Sequence, residues 1–170
     1  MFKNGLLIIF FILSFELSIY LWHKIGTHTN LLGNVFLKSH LNHHTGNDVF
    51  AINDFELAIF PLIINLCIIY YLYRKNIFIQ SKNVCLLLCI ISISLLFITY
   101  YFHKSYHIPK HWLNKYKFFK YVKKLHLIHH EDMTKNFGVL SYMFDECFNT
   151  IKYKYKDEEN PLKKCKTIYI

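Results

Sequence analysis

The sequence predicts an all-α integral membrane protein: about three transmembrane helices, a further helix that is interfacial or membrane-embedded, and a cytoplasmic histidine-rich helical cap. Three observations predict it. Apolar runs of 17 to 19 residues interrupt a 170-residue chain that is 54% hydrophobic and 18% aromatic. The polar segments between and after them carry 11 histidines, ten of which form two copies of one arrangement. The Lys and Arg residues are divided unevenly between the two sides that three spans define.

The first run is Leu6–Trp22, LLIIFFILSFELSIYLW. At 1.5 Å per residue it covers about 25 Å, short but adequate for a span. A basic start at Lys3 imitates a signal peptide, but no small-residue cleavage site follows and the run passes directly into His23, so it reads as an uncleaved span. Glu16 lies inside it. A carboxylate is costly in lipid, so Glu16 is expected to face the protein interior or a polar cavity. His23–Asp54 is polar and broken by Gly26, Gly33 and Gly46. The second span is Phe55–Tyr73; Pro61 is tolerable there because neighbouring groups satisfy the freed carbonyl. A short polar turn, Arg74–Asn83, leads into the third span, Val84–Phe102. Tyr70, Tyr71 and Tyr73 on one span and Tyr100 and Tyr101 on the next suit aromatic belts. Pro109 is expected to stop the helix just beyond His107. Trp112–Lys124, rich in Lys and aromatics, suits a helix lying at the interface. The domain expected is 1–150, followed by a polar tail, 151–170.

Three spans place the segments 23–54 and 103–170 on the same side. All 11 histidines therefore share one membrane face, although the hairpin of the second and third spans separates them. Only Lys3, Arg74, Lys75 and Lys82 fall on the opposite side, leaving 16 of the 20 Lys and Arg with the histidines. The positive-inside bias makes that face cytoplasmic. The net charge of +9 is then a membrane-topology signal, and a nucleic-acid partner is not expected. The five cysteines form no C-x-x-C pair, so neither a zinc knuckle nor a disulfide framework is indicated and free thiols are expected.

The histidines fall into HKIGTH (His23, His28), HLNHH (His40, His43, His44), HKSYH (His103, His107) and HLIHH (His126, His129, His130). Imidazole is a good ligand for iron, zinc and copper. On a helix, positions i and i+4 point the same way with i+3 close by, so H-x-x-H-H presents a pair and a third ligand beside it. His23 and His28 are five apart, poor spacing for one helical face; unwinding at Gly26 would let the rings converge. The two half-sets of five are expected to hold two metal ions, giving a two-metal centre at the ends of the spans. Asp54, Glu131, Asp132 and Asp145 are candidates to orient a ligating imidazole, with helix capping as the alternative for Glu131 and Asp132. His111 stands outside the pattern, either as a supporting residue near the metals or as a hydrogen-bonding residue at the interface.

From about Phe15 to Thr150 the sequence resembles the fatty acid hydroxylase superfamily, which includes sterol desaturase-like enzymes. The order of boxes, H-x4-H, H-x-x-H-H, H-x3-H, H-x-x-H-H, is that of its fatty acid 2-hydroxylase branch. The segment NFGVLSYMFDECFNT resembles that superfamily's ending, with Gly138 and Asp145 at its usual Gly and Asp. HKIGTH, HLNHH and FAINDFELAIF also resemble β-carotene hydroxylases, although the H-x3-H box departs from their H-x4-H.

The resemblance implies two Fe ions, replaceable by Zn in purified protein, held by the ten box histidines. It implies O2 as co-substrate and hydroxylation of an unactivated C–H of a fatty acyl, sphingolipid or sterol-like lipid within the membrane. With no cytochrome b5-like domain fused, a separate electron donor of cytochrome b5 or ferredoxin type, with its reductase, is expected. The endoplasmic reticulum is the expected membrane if the source is eukaryotic. Two alternatives compete: a carotenoid ring hydroxylase, and a non-catalytic histidine-rich membrane metal-binding protein. A transporter is disfavoured because transporters place such ligands at the midplane of their spans.

Overall fold

A computed structural model describes residues 2–45 and 52–154, without side chains at 2, 3, 32 and 52–56. The described residues are helical with no strand. Helix α1 (Phe2–Leu21) continues into a π-helical turn, Trp22–Thr27, then a 3-10 turn, Asn30–Leu32, and α2 (Asn34–Thr45). Helices α3 (Ile52–Arg74) and α4 (Lys82–Tyr106) form a hairpin. A second 3-10 turn, Trp112–Lys115, leads to α5 (Lys117–Glu131), and the short α6 (Met143–Cys147) closes the described chain.

Three helical stretches are long and apolar enough to cross a membrane: Asn4–Thr27, Leu57–Arg74 and Lys82–Tyr106. The three long helices pack against one another. Their outward side chains are apolar, with Ile9, Phe10, Leu86, Ile90 and Phe97 among the exposed ones. So large an apolar surface would be a liability in water and is the expected covering in lipid. Glycine and proline fall where this arrangement permits. Pro61 sits inside α3. A Cβ on Gly26 would lie 2.7 Å from the Trp22 indole, which stacks on Phe60 with a centroid separation of 3.8 Å.

Two apolar clusters hold the bundle. One joins Phe11, Ile69, Ile79 and Leu88 at the end remote from the histidines. There a crevice of about 530 Å³ opens among Leu6, Phe10, Ile68, Leu72 and Phe78. The larger cluster runs from Phe15 and Ile19 on α1 through Leu96 and Tyr106 on α4 to Phe119, Val122, Leu125 and Ile128 on α5. It seats α5 across the ends of the spans. Between the clusters the buried Asn65 amide donates to the Phe11 carbonyl, 3.1 Å away.

Helix α4 stops at Tyr106 with His107 as its cap, two residues before Pro109. The stretch 112–124 is not one helix. Tyr116 is extended (φ −90°, ψ 131°), which separates the 3-10 turn from α5, and α5 then runs on through the last histidine box. The Trp112 indole donates to the Tyr101 hydroxyl at 2.9 Å, so the turn is folded back onto the outer surface of α4. On α5 the inner face buries Phe119, Val122, Leu125, His126 and His129, while Lys117, Lys120 and Lys124 face outward.

Packing continues past Thr150. Ile151 lies against the larger cluster, the Lys152 N–H donates to Asn136 Oδ1 at 2.7 Å, and Lys152 Nζ pairs with Asp132 at 2.7 Å. The rest of the polar tail, 155–170, lies outside the described residues. Cys67, Cys85, Cys89 and Cys147 are free thiols; Cys165 is not described.

Replacing Asn65 by Ala removes an interhelical hydrogen bond inside the bundle. The expected loss is about 0.6–1.7 kcal/mol, read from denaturant unfolding of the detergent-solubilised chain, with the histidine end unperturbed.

Candidate metal centre

Ten histidines from four boxes converge at one end of the three spans. Nine of them place nitrogens in two groups, each with all members within 4.8 Å of one another: His23, His28, His40, His44 and His129 in the first, and His43, His107, His126 and His130 in the second. The groups adjoin, the rings of His44 and His130 lying 4.2 Å apart and tilted by 31°.

The groups do not follow the two half-sets. His43 leaves its own box to join the second group, and His129 leaves its own to join the first. Helical geometry explains the exchange. With about 100° per residue, i and i+4 are about 40° apart, but i+3 lies about 60° round on the other side of i. On α2, His40 and His44 face one group while His43 faces the other. On α5, His126 and His130 face the second group while His129 faces the first.

The two loose pairs use different helices. His103 and His107 are one α-helical turn apart at the end of α4. His23 and His28 have one residue more between them, and the backbone there is a π-helix from Trp22 to Thr27 with His28 as its cap. Its wider turn brings i and i+5 onto one face, and the two rings are 5.1 Å apart. His103 occupies the place in the second half that His23 occupies in the first. It is fully buried, and its ring lies 4.6 Å from His126 and 4.9 Å from His43, yet its nitrogens fall outside the second close group.

The contacts test whether a metal fits. His40 Nε2 is 3.0 Å from the Nε2 atoms of His23, His28 and His44. One imidazole nitrogen carries a single proton or a single lone pair, so hydrogen bonds cannot satisfy three such contacts at once. A shared cation satisfies them all. Nitrogens bound at about 2.1 Å on adjacent corners of an octahedron are about 3.0 Å apart, against about 3.4 Å for a tetrahedron. His28–His129 at 3.1 Å, His107–His126 at 2.9 Å and His126–His130 at 3.1 Å agree with the first value. The donor set of each group therefore fits metal binding.

The protonation states agree. Burial, reinforced by neighbouring imidazoles, holds His40, His44, His107, His126, His129 and His130 well below the usual histidine range. Burial lowers the His28 imidazole to about 4. These rings are neutral at pH 7, as a metal ligand requires.

Two tautomers are fixed by backbone carbonyls. His23 Nδ1 donates to Phe137 O at 2.7 Å and His129 Nδ1 to Lys135 O at 2.6 Å, which leaves both Nε2 lone pairs free to face the first group. The segment supplying both carbonyls is braced from several directions. Asp145 accepts from the N–H groups of Phe137 and Gly138, at 2.8 and 2.7 Å, and from the Thr150 hydroxyl at 2.7 Å. Asn136, between the two carbonyl residues, has φ of 57°, and its amide donates to Leu125 O and Lys152 O. A Cβ on Gly138 would collide with the Ser141 carbonyl oxygen. Glu16 of α1 turns inward, 7% exposed, and accepts from the Ser141 N–H and hydroxyl at 3.3 and 3.0 Å.

The other sequence candidates sit elsewhere. Asp145 acts on His23 only through the backbone it holds. His111 touches neither group; it caps the 3-10 turn by accepting from Leu113 N–H and lies beside Ser105 and Tyr101. Asp132 caps α5 and is engaged by Thr134 and Lys152. Asp54 belongs to α3, and its side chain lies outside the described residues. Asn136 is a site residue that spacing did not single out; its only signal is turn chemistry, an Asn two residues before a Gly just past a helix.

A model of the fatty acid hydroxylase family matches residues 8–150, most of the chain and all four boxes. The chain belongs to the fatty acid hydroxylase family. No curated protein and no solved structure matches it. Membership implies an oxidoreductase, and the histidines of this family member lie close enough together to bind metal.

Two outcomes follow for purified protein. Gly138→Ala displaces Phe137 O from His23, and bound metal is expected to weaken by about 10- to 100-fold, measured by metal content after dialysis. The metal-free chain is expected to lose stability as pH falls from about 6.5 towards 4, the His28 window. The sign follows because the unfolded chain takes up protons there while the buried rings do not. Each such histidine adds a slope of up to about 1.4 kcal/mol per pH unit, and unfolding curves at stepped pH read it.

Proposed function

We propose that this fatty acid hydroxylase uses two Fe ions and O2 to hydroxylate an unactivated C–H of a membrane lipid, with a fatty acyl, sphingolipid or sterol-like substrate. The observation that carries this reading is the pair of converging nitrogen groups at one end of three apolar spans, in a chain of this family. Iron bound there supplies O2 reduction and C–H oxidation. One oxygen atom enters the C–H bond, the other leaves as water, and two electrons and two protons come from outside.

The chain's own residues prepare the site. Burial keeps the imidazoles neutral and excludes bulk water. The carbonyls of Lys135 and Phe137 hold His129 and His23 in the tautomer that presents Nε2. The apolar outer surfaces of α1 and α4 meet lipid directly, so a lipid reaches the histidine end along the helices without crossing water. Two electrons are delivered by a separate donor of cytochrome b5 or ferredoxin type with its reductase. The excess of Lys and Arg on the histidine side supports a cytoplasmic face for the site, where such carriers work, at the endoplasmic reticulum in a eukaryotic cell.

Lipid profiling of a host expressing the chain tests this. A hydroxylated lipid is expected with the native chain and not with His129→Ala, and aerobically purified protein is expected to carry two irons. Zinc alone with no new lipid would replace this reading with that of a metal-binding protein.

A further inference from the structure

Resting on the metal-centre reading above, we infer that the two positions are unequal: the ion in the His23 group is held tightly, and the ion in the His43 group is the labile one.

Three observations carry this. The first group brings five nitrogens together, the second four, with His103 set apart. Two ligands of the first group, His23 and His129, donate Nδ1–H to carbonyls at 2.7 and 2.6 Å. In the second group, the buried Nδ1 atoms of His126 and His130 have no hydrogen-bond partner among the described residues. His44 Nδ1 in the first group is also without one, so the contrast rests on the two braced rings. A carbonyl on the far nitrogen orients the ring and raises its basicity, and loss of such a partner typically costs 10- to 100-fold in metal affinity.

The bracing has one origin. Lys135 and Phe137 belong to a single segment, and Asp145 grips its backbone at Phe137 and Gly138. Among the described contacts, that segment's carbonyls accept from His23 and His129 of the first group. Asp145 is therefore a positioning residue for one metal and not for the other, although the boxes themselves are arranged with near-twofold correspondence.

Release of iron tests the inference without any turnover. The full chain is loaded anaerobically with Fe(II) in detergent and challenged with a coloured Fe(II) chelator. Two phases of one iron each are expected, with rates at least about tenfold apart. His130→Ala, which damages the second group, is expected to keep only the slow phase, and His28→Ala only the fast one. Asp145→Asn is expected to speed the slow phase and leave the fast phase unchanged. A single phase for both irons in the native chain, or a slow phase lost in His130→Ala, would overturn the inference while leaving the two-iron reading intact. A native chain that takes up no iron would overturn both. The native chain and the two histidine variants decide the matter even if Asp145→Asn does not fold.

Discussion

Both nitrogen groups depend on the angular offset between positions i+3 and i+4 of an α-helix. In H-x-x-H-H the outer pair shares a face while the middle histidine is turned towards a neighbour. A single helix of this kind serves two centres only if a second helix, with the same motif, stands opposite it. The exchange of His43 for His129 is that arrangement. It makes neither group self-sufficient: each needs a ligand from the other half of the chain, so the two halves are locked together by whatever the groups bind. The span count serves the same end, since an even number of spans between the boxes is what returns the second motif to the side of the first.

Gathering ten imidazoles in a buried space is unfavourable without a shared cation. Their nitrogens approach too closely for hydrogen bonds to satisfy them all, and burial opposes their protonation. The metal-free arrangement is therefore held by the surrounding fold. The apolar cluster from Phe15 through Leu96 to Ile128 positions α1, α4 and α5 around the histidines. Such preorganisation reduces what must be ordered when a metal enters.

How much of this was legible depends on the range of the interaction concerned. The spans follow from hydropathy, and the gathering of the boxes follows from counting spans. The extra residue in HKIGTH and its Gly26 flagged irregular backbone, and the structure resolves it as a π-turn. The exchange of His43 and His129 was latent in the helical angles, but it needs the relative pose of α2 and α5, which no local pattern gives. His103 illustrates the same limit: its spacing from His107 is ideal, and only packing decides how close its nitrogens come. The carbonyls of Lys135 and Phe137 were invisible, because a backbone acceptor carries no residue signature. Asp145 is one of four carboxylate candidates and also matches the superfamily's usual Asp, while its grip on Phe137 and Gly138 requires coordinates.

The carboxylate in the first span then acquires a reason. Phe11, Phe15 and Ile19 follow one another at i+4 along α1 and His23 follows in its π-helical continuation, with Glu16 and Tyr20 beside them, and all are buried. That face meets the chain's last described segment: Glu16 receives Ser141, Tyr20 stacks on Phe148 at 5.2 Å and lies 3.2 Å from the Thr150 hydroxyl, and His23 reaches Phe137 O. An apolar residue at position 16 would suit the span better but would leave the partly buried Ser141 donors without their acceptor. The polar cost within α1 is thus exchanged for an anchor on the segment that orients His23. The continuation of α1 and the segment after α5 meet at that ligand, so the geometry of the first metal group is set by that long-range packing and not by its histidine boxes alone.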